Sequence, residues 1–182
     1  GNLKFAQTEK KEVSLNKNLI NFFSSKKIWS AASTHKTEEK ICAIVHKKLK
    51  LKYKNFLTII IPRHVHRTNE IVNTLKEFNL NIHLHSSKKK INQNTDIYLV
   101  DSFGKTKSFF MLCKTVFLGG SLIKHGGQNP LEAARYGCKI LHGPNVWNFT
   151  EIYSLLSKHK VSDKVVNINQ LSSKVYKMLK NK

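Results

Sequence analysis

The sequence predicts a doubly wound α/β fold, in which helices cover both faces of a parallel sheet. Strand-like and helix-like segments alternate about six times, with short connections between them. Residues 56–61 form a nearly continuous apolar run that Pro62 ends, which is typical of a strand buried on both faces of a sheet. Residues 116–118 repeat this pattern before a pair of glycines. In such a fold, ligands bind at the carboxyl ends of the strands.

Length and composition fit one ordinary domain with its own core. The chain has 182 residues, of which 40% are hydrophobic. No apolar run reaches the roughly 18 residues of a membrane span, and the amino terminus lacks a signal-peptide pattern, so we expect a soluble, intracellular chain. The three cysteines are far apart and lie among apolar residues, which favours reduced core thiols.

The chain begins with a polar, lysine-rich segment, residues 1–27, which we interpret as an interdomain linker that ends in a short apolar stretch. Residues 28–182 form the predicted domain. Its first strand spans residues 28–32, and the helix that follows carries Glu38 and Glu39 in its first turn, as the helix dipole favours. Apolar residues at helical spacing give this helix a stripe that faces the core: Ile41, Ile44, Val45 and Leu49.

The remaining elements follow in chain order. After the strand at 56–61 we predict a helix at 68–78, short strands near 81–85 and 96–100, a turn at 101–104 and a helix at 107–113. The second half contains strands at 116–118 and 138–142, a helix at 148–157, a weak strand near 164–166 and a closing helix from Gln170.

Two glycine pairs stand out in the second half. Gly119 and Gly120 follow the strand at 116–118, and Gly126 and Gly127 precede a helix. Backbone without a Cβ turns sharply and lets a ligand approach the amide groups closely. The pattern predicts a cradle for a phosphate or a sugar.

The helix after the second pair begins at a clear start signal. Asn129 is a favourable N-cap and Pro130 suits the first helical position, so free amides there can hold an anion. Glu132 has two interpretations: the carboxylate of a capping box, or an acceptor for ribose or sugar hydroxyls. Because a carboxylate in the first turn disfavours an adjacent phosphate, the second interpretation puts the phosphate elsewhere along the glycine loops.

Arg63 is the best single charged candidate. A guanidinium at the end of a strand can bind a phosphate or carboxylate through two parallel hydrogen bonds, and the alternative is a surface salt bridge. Several residues lie just past predicted strands and so converge on one edge of the sheet: Ser33, Arg63, Ser102, Gly104, Gly119, Gly120, Ser121 and Gly143.

Several functional motifs are absent from the sequence. It contains no P-loop, no dinucleotide-binding glycine fingerprint and no serine-hydrolase elbow. The pairs His64/His66 and His83/His85 have strand-face spacing, but no carboxylate or cysteine is spaced to complete a metal site. We therefore predict neither a metal nor a cofactor.

The formal net charge of +21 raises the question of a nucleic-acid or membrane partner. Lysines are dispersed over the whole chain, and the arginines are Arg63, Arg67 and Arg135. Since surfaces that bind phosphate or bases favour arginine, we attribute most lysines to compositional bias and a smaller share to attraction to anionic lipid headgroups. A basic, non-catalytic nucleic-acid-binding module remains the alternative from another class.

Five motifs, in order, closely resemble the second half of bacterial 3-deoxy-D-manno-octulosonic acid (Kdo) transferases. They are residues 29–35 (WSAASTH), 61–64 (IPRH), 117–122 (FLGGSL), 126–132 (GGQNPLE) and 142–144 (HGP). Residues 1–5 (GNLKF) resemble that family's junction between its two domains. The resemblance implies a Rossmann-like domain, the carboxyl-terminal half of a metal-independent, inverting GT-B glycosyltransferase.

The family transfers Kdo from CMP-Kdo to a lipid A precursor at the cytoplasmic face of the inner membrane, and its second domain binds the donor. By motif position, Ser33 and Arg63 would face the phosphate or the Kdo carboxylate. The glycine loops would line the cytidine and phosphate cradle, and the start of the next helix would contact hydroxyls. The donor-binding set that we predict is Ser33, Arg63, Gly104, Gly119, Gly120, Ser121, Gly127, Asn129 and Glu132.

Two departures from the family limit the predicted mechanism. The family usually has histidine where this chain has Gln128. Its first domain, with the acceptor groove and the carboxylate thought to act as base, has no counterpart in this sequence. Because inverting transfer needs a base as well as a phosphate clamp, we predict no catalytic residue here and expect the missing acceptor domain, the acceptor and an anionic membrane surface as partners. An enzyme of the same architecture for another nucleotide sugar is a further alternative.

Overall fold

The computed structural model describes residues 15–181, which contain one sheet of seven parallel strands. The strands are β1 (Lys27–Thr34), β2 (Phe56–Pro62), β3 (Ile82–Leu84), β4 (Ile97–Leu99), β5 (Thr115–Leu118), β6 (Lys139–His142) and β7 (Ser162–Lys164). The α-helices are α1 (Lys17–Ser24), α2 (Glu38–Lys50), α3 (Thr68–Lys76), α4 (Thr106–Leu112), α5 (Leu131–Arg135), α6 (Thr150–Lys158) and α7 (Ile168–Lys180), and 3₁₀ turns at Val65–Arg67 and Trp147–Phe149 precede α3 and α6. The predicted α/β fold is confirmed.

The order of the strands explains where a ligand can bind. Across the sheet they run β3-β4-β2-β1-β5-β6-β7. The chain first places β2, β3 and β4 on one side of β1, with β4 between β2 and the edge strand β3, and then returns to add β5, β6 and β7 on the other side. The neighbours β1 and β5 therefore form the topological switch point, where the crevice of such folds opens at the carboxyl ends of the strands.

Both faces of the sheet are buried, as its continuous apolar strands predict. In β2, Phe56 and Ile60 join a core with α2, α3 and α7. Leu57, Ile59 and Ile61 point the other way and join a second core with α1, α4, α5 and α6. The sheet is therefore the middle layer of three, and its strand ends stay accessible at the two edges.

Helix α1 lies in the segment that we interpreted as a linker. Asn16 accepts a hydrogen bond from the Asn18 amide at its start, and Phe22 and Phe23 are buried in the second core. The apolar stretch in the sequence was thus a helix that packs on the sheet. Residues 1–14 lie outside the described residues, so the linker role of residues 1–27 stays a prediction.

Most other predicted elements agree with the structure to within a few residues. The largest shift is in β7, which spans Ser162–Lys164 instead of residues 164–166. Val165 is buried and donates its amide to His142 just after the strand, whereas Val166 is exposed. The apolar pair therefore marks the end of β7. None of the helices between residues 15 and 181 has the length and apolar character needed to cross a membrane.

Candidate functional site

A cavity of about 300 Å³ opens at the carboxyl edge of the sheet, beside the switch point. The predicted residues that line it are Ser33, Arg63, Gly104, Asn129 and Glu132. Ser102, Thr106 and Gln128 add polar groups, while Ile61, Phe103, Phe110 and Leu118 supply apolar surface. The cavity thus combines a cation, a carboxylate, amides and an apolar wall.

Arg63 provides the positive charge of this cavity. Its amide donates to the Thr34 carbonyl at 3.0 Å, which joins the end of β2 to the end of β1. Its side chain is exposed, and no carboxylate of residues 15–181 forms an ion pair with its guanidinium. Arg67, by contrast, pairs with Glu39 at 2.9 Å and with Glu70 at 3.4 Å. The salt-bridge alternative for Arg63 therefore has no partner in the described chain.

Ser33 occupies a strained position in the wall of the cavity. It has a φ of 56°, in the left-handed region that residues other than glycine rarely adopt, and it interrupts the register between β1 and β2. Its carbonyl oxygen accepts a hydrogen bond from Nδ1 of His35 at 3.0 Å. A Cβ on Gly119 would lie 2.3 Å from that carbonyl oxygen, so this turn requires glycine at 119.

Asn129 and Glu132 stand at the start of α5. The Asn129 side chain accepts a hydrogen bond from the Leu131 amide at 3.0 Å. The helix begins at Leu131, so Pro130 holds the N-cap position without a side-chain cap, and the predicted N-cap at Asn129 is one residue too early. The Glu132 side chain is 43% exposed and lies 4.0 Å from Nζ of Lys107. Within residues 15–181 it makes no return hydrogen bond to the Asn129 amide, as a capping box would require. Its carboxylate is therefore available to the cavity.

The first glycine loop is held from behind by a buried carboxylate. Glu38, at the start of α2, is 0% exposed and accepts the amides of Gly120 at 2.8 Å, Ser121 at 3.2 Å and Leu122 at 3.2 Å. It also accepts the His35 amide at 2.9 Å. The Gly119 amide donates to the Ala32 carbonyl at 2.8 Å. The amides that the sequence predicts as a phosphate cradle are thus bonded within the protein.

Ser121 and Gly127 are likewise engaged internally. The Ser121 hydroxyl donates to Leu118 at 2.6 Å and accepts the Gly143 amide at 2.9 Å, and the residue is fully buried. The Gly127 amide donates to the Gly120 carbonyl at 2.8 Å, which joins the two glycine loops. Gly119, Gly120, Ser121 and Gly127 therefore build the frame next to the cavity, and direct contact of their amides with a ligand stays a prediction.

Sequence reasoning missed two features of this edge. Glu38 was interpreted as an ordinary first-turn residue, although the three loop amides that it accepts lie more than eighty positions away in sequence. His35, His64 and His125 come together beside the glycine loop, with 4.1 Å between the ring centroids of His35 and His125. Residues 35–39 (HKTEE), which follow β1, have no sequence spacing that indicates a role for either His35 or Glu38.

Larger cavities lie elsewhere on the described chain. One of about 760 Å³ is at the amino ends of β1 and β2, where Lys26, Lys27, Lys52 and Lys54 line it. Another, of about 990 Å³, lies between α1 and the loop after β3. The carboxyl-edge cavity is smaller, but polar groups converge there at the switch point. We therefore choose it as the candidate site on the nature of its lining residues and not on its volume. Residues 15–181 contain no group of three or more histidine, cysteine or acidic side chains placed to bind a metal.

Comparison with known proteins agrees with the motifs at this edge. The chain is 38% identical to a 3-deoxy-D-manno-octulosonic acid transferase of Haemophilus influenzae, over 71% of the chain and 30% of that protein. It is 32% identical to the transferase of Rickettsia conorii, over 100% of the chain and 39% of that protein. The chain is homologous to one part of the 3-deoxy-D-manno-octulosonic acid transferases. It spans less than half the length of these relatives, and no family model matches it.

A solved structure locates the similarity within the family. The fold matches the carboxyl-terminal CMP-Kdo binding domain of WaaA from Acinetobacter baumannii, with a TM-score of 0.83 and 25% identity over 88% of this chain and 83% of that domain. The recognised family and the predicted carboxyl-terminal fold are therefore confirmed. These relatives do not favour the nucleic-acid-binding module or an enzyme for a different nucleotide sugar.

Proposed function

We propose that this Kdo transferase family chain is a donor-binding domain that holds a CMP-activated sugar acid in the carboxyl-edge cavity. The related domain from Acinetobacter baumannii is described as binding CMP-Kdo, and the present chain shares its fold. The GT-B arrangement, the lipid A precursor as acceptor and a peripheral position at the inner membrane belong to this proposal as well.

The observation that carries the proposal is the unpaired guanidinium of Arg63 in a cavity that Asn129 and Glu132 also line. A cation without an ion-pair partner at a strand end is suited to an anionic ligand, because a phosphate or carboxylate can accept two of its hydrogen bonds. The carboxylate and amide at the start of α5 suit hydroxyl groups. Together these groups match an anionic ligand that also carries a sugar.

The cavity also offers a surface for the nucleobase. Phe103 lies at its rim and is 82% exposed, which is unusual for a large apolar side chain. A base can stack on such an exposed ring. We therefore orient the donor with its phosphate near Arg63 and Ser33, its hydroxyls toward Asn129 and Glu132, and its base toward Phe103.

In the proposed reaction this chain stabilises the departing nucleotide. Negative charge develops on the phosphate as the sugar leaves, and Arg63 is positioned to interact with it. Glu132 is the carboxylate that lines the cavity among residues 15–181, and we assign it to hydroxyl recognition. The acceptor site and the base would come from the part of such an enzyme that this chain does not cover, so the chain alone should transfer no Kdo to a lipid A precursor.

Titration with mononucleotides tests the proposal. CMP, UMP and AMP are titrated into the chain by calorimetry, and we expect CMP to bind most tightly. A Phe103→Ala variant should weaken CMP binding by about fivefold because it removes the stacking surface. Equal binding of the three nucleotides, or no binding of any, would contradict the cytidine assignment.

A further inference from the structure

Three histidines from three different loops form a cluster at the carboxyl edge: His35 after β1, His64 after β2 and His125 after β5. The ring centroids of His35 and His125 are 4.1 Å apart, and those of His35 and His64 are 5.9 Å apart. His66 extends the row, 5.5 Å from His64. Loops that are distant in sequence thus bring imidazoles together beside the glycine frame.

His35 is the buried member of the cluster and has an unused nitrogen. Its Nδ1 lies 3.0 Å from the Ser33 carbonyl, and because a carbonyl only accepts, Nδ1 carries a proton. The residue is 9% exposed, and its Nε2 is fully buried with no hydrogen-bond partner among residues 15–181. Buried polar atoms normally have a hydrogen-bond partner. We therefore expect Nε2 of His35 to form a hydrogen bond with a ligand, as an acceptor or, once protonated, as a donor.

The cluster adjoins the cavity at three points. Ser33, which accepts from His35, lines the cavity, and so does Arg63, the neighbour of His64. Gly120 forms the third point: a Cβ there would lie 3.2 Å from Cε1 of His35, 3.0 Å from Cδ2 of His125 and 3.2 Å from Nε2 of the cavity-lining Gln128. The Gly120 position and the Gln128 side chain therefore lie between the cluster and the cavity.

The charges around the cluster favour an anion. The Glu38 carboxylate lies 4.0 Å from Nδ1 of His35, but it is already bonded to backbone amides. Glu39 is paired with Arg67. Arg63 and Arg67 act on His64 as neighbouring positive charges. Glu38 and Glu39 therefore already have partners, while the guanidinium groups of Arg63 and Arg67 add positive charge and hydrogen-bond donors beside the histidines.

We propose that His35, His64 and His125 form an oxyanion subsite for the bound donor, in which Nε2 of His35 takes up a proton and donates to the ligand. This inference rests on the proposed donor-binding function and adds a subsite to it. The oxyanion has two possible sources on the donor, the nucleotide phosphate and the sugar-acid carboxylate, and both would accept the same hydrogen bond.

The proposal predicts that binding takes up a proton. Burial, with a contribution from His125, lowers the pKa of His35, and partial desolvation with the Arg63 charge lowers the pKa of His64, so both are neutral in the free protein near neutral pH. A bound oxyanion favours the protonated form. The groups that face the pair are His66, His125, Glu38, Glu39, Arg63 and Arg67. Affinity should therefore rise as the pH falls toward the lowered pKa values of the free protein, by at most about tenfold per pH unit for one proton.

Calorimetry of the full chain with CMP, cytidine and free Kdo tests the subsite, each in two buffers of different protonation enthalpy. We expect proton uptake with CMP if the phosphate is the ligand and with Kdo if the carboxylate is the ligand. Cytidine, which has neither group, should bind without proton uptake. His35→Asn keeps a donor for Ser33 and removes Nε2, so it should abolish the uptake and weaken binding at least about fivefold. His159→Asn, at an exposed histidine after α6, is the matched control.

The outcomes separate this inference from the proposed function. If CMP binds in preference to UMP but proton uptake is absent in the wild type, or is the same in His35→Asn and His159→Asn, the oxyanion subsite is wrong and the donor-binding function stands. If CMP shows no preference, the proposed function fails first. Should His35→Asn fail to fold, the exposed His125→Asn variant and the NMR shift of the His35 Cε1 proton during wild-type titration give the same decision.

Discussion

The first glycine loop and the neighbouring cavity lie at the same edge of the sheet but differ in how their polar groups are used. In the loop, the amides of Gly120, Ser121 and Leu122 all donate to the buried Glu38 carboxylate. In the cavity, Arg63 has no ion-pair partner among residues 15–181, and the Glu132 carboxylate is 43% exposed. The loop amides thus have hydrogen-bond partners within the protein, whereas the Arg63 guanidinium in the cavity has no ion-pair partner within residues 15–181.

This difference shows how structural polar groups can be distinguished from ligand-binding ones: by whether they already have a partner within the protein. Both regions follow a strand and both contain residue types that bind phosphates. A buried polar group that already has its partner gains little from a ligand, while one without a partner can gain a full hydrogen bond. The glycine loop therefore positions the walls of the cavity, and the ligand contacts come from side chains beside it.

Of the substitutions considered, removal of the Glu38 carboxylate should have the largest effect on stability. Glu38→Ala leaves buried amides without an acceptor, so we expect the free energy of unfolding to fall by about 4 kcal/mol. Chemical denaturation measures it, and the exposed Glu77→Ala is the control. Added acetate should stabilise Glu38→Ala more than the wild type, because it can refill the amide site. A loss no larger than that of Glu77→Ala would mean that the loop does not depend on this carboxylate.

A methyl group at Gly143 should have the second-largest effect on stability, because it would clash with the first glycine loop. Its Cβ would lie 2.1 Å from the Ser121 carbonyl, which also accepts the Asn145 amide at 2.9 Å and so cannot easily move. We expect Gly143→Ala to cost about 2–3 kcal/mol in thermal or chemical unfolding. Gly137→Ala is the control, because its Cβ would meet nothing within 4 Å and only its φ of 75° adds strain, of about 1 kcal/mol. Equal losses in the two variants would show that the close approach at Gly143 is relieved by relaxation.

Loss of the guanidinium at Arg63 should affect binding and leave folding unchanged. We expect Arg63→Met to raise the Kd for CMP by about tenfold, since it removes a charged hydrogen-bond donor from the cavity. Arg63→Lys keeps the charge without the fork and should lose less. Arg135→Met, at an exposed arginine of α5, serves as the control. Calorimetry that gives the same Kd for both methionine variants would remove Arg63 from the site.

Neutralising Glu132 should have the smallest effect and decides between its two interpretations. If the carboxylate accepts ligand hydroxyls, Glu132→Gln should weaken CMP binding by about threefold with no change in Tm. If it acts as a capping residue, Glu132→Ala should instead lower stability by up to about 1 kcal/mol with binding intact, whereas Glu132→Gln, which can still cap, should not. Paired calorimetry and thermal melts on one sample separate these outcomes.

The sequence predicts most helices and strands of the fold because the patterns that mark them are local. The apolar run at 56–61 and the glycine pairs predict β2 and the turns that follow β5, and both are present. Helix α1 was missed because its apolar stretch is short and stands next to a polar, lysine-rich segment. Its identity as a helix depends on Phe22 and Phe23 packing against residues of the sheet that lie far away in sequence.

For the candidate site, the sequence predicts where the polar residues lie better than it predicts which groups they bond to. Arg63, Asn129 and Glu132 line the carboxyl-edge cavity, as their positions beside a strand end or a helix start predict, and their contact with a ligand stays a prediction. The use of the loop amides could not be foreseen, because it depends on Glu38, which is 82 residues from Gly120. The same holds for His35 and His125, which meet only through the folding of β1 beside β5. Long-range hydrogen bonds leave no periodic pattern in a sequence.

Amide chemical shifts recorded during CMP titration distinguish a ligand held by the cavity side chains from one held by the glycine loop, because they report on both regions in one experiment. With isotopically labelled chain, we expect the largest amide shifts at the cavity, in residues 63–64, 102–104, 128–129 and 131–132. The amides of Gly120, Ser121 and Leu122 should move less, since Glu38 continues to hold them. The largest shifts at those three amides would contradict the account, because the phosphate would then have displaced Glu38 and the glycine loop itself would be the cradle.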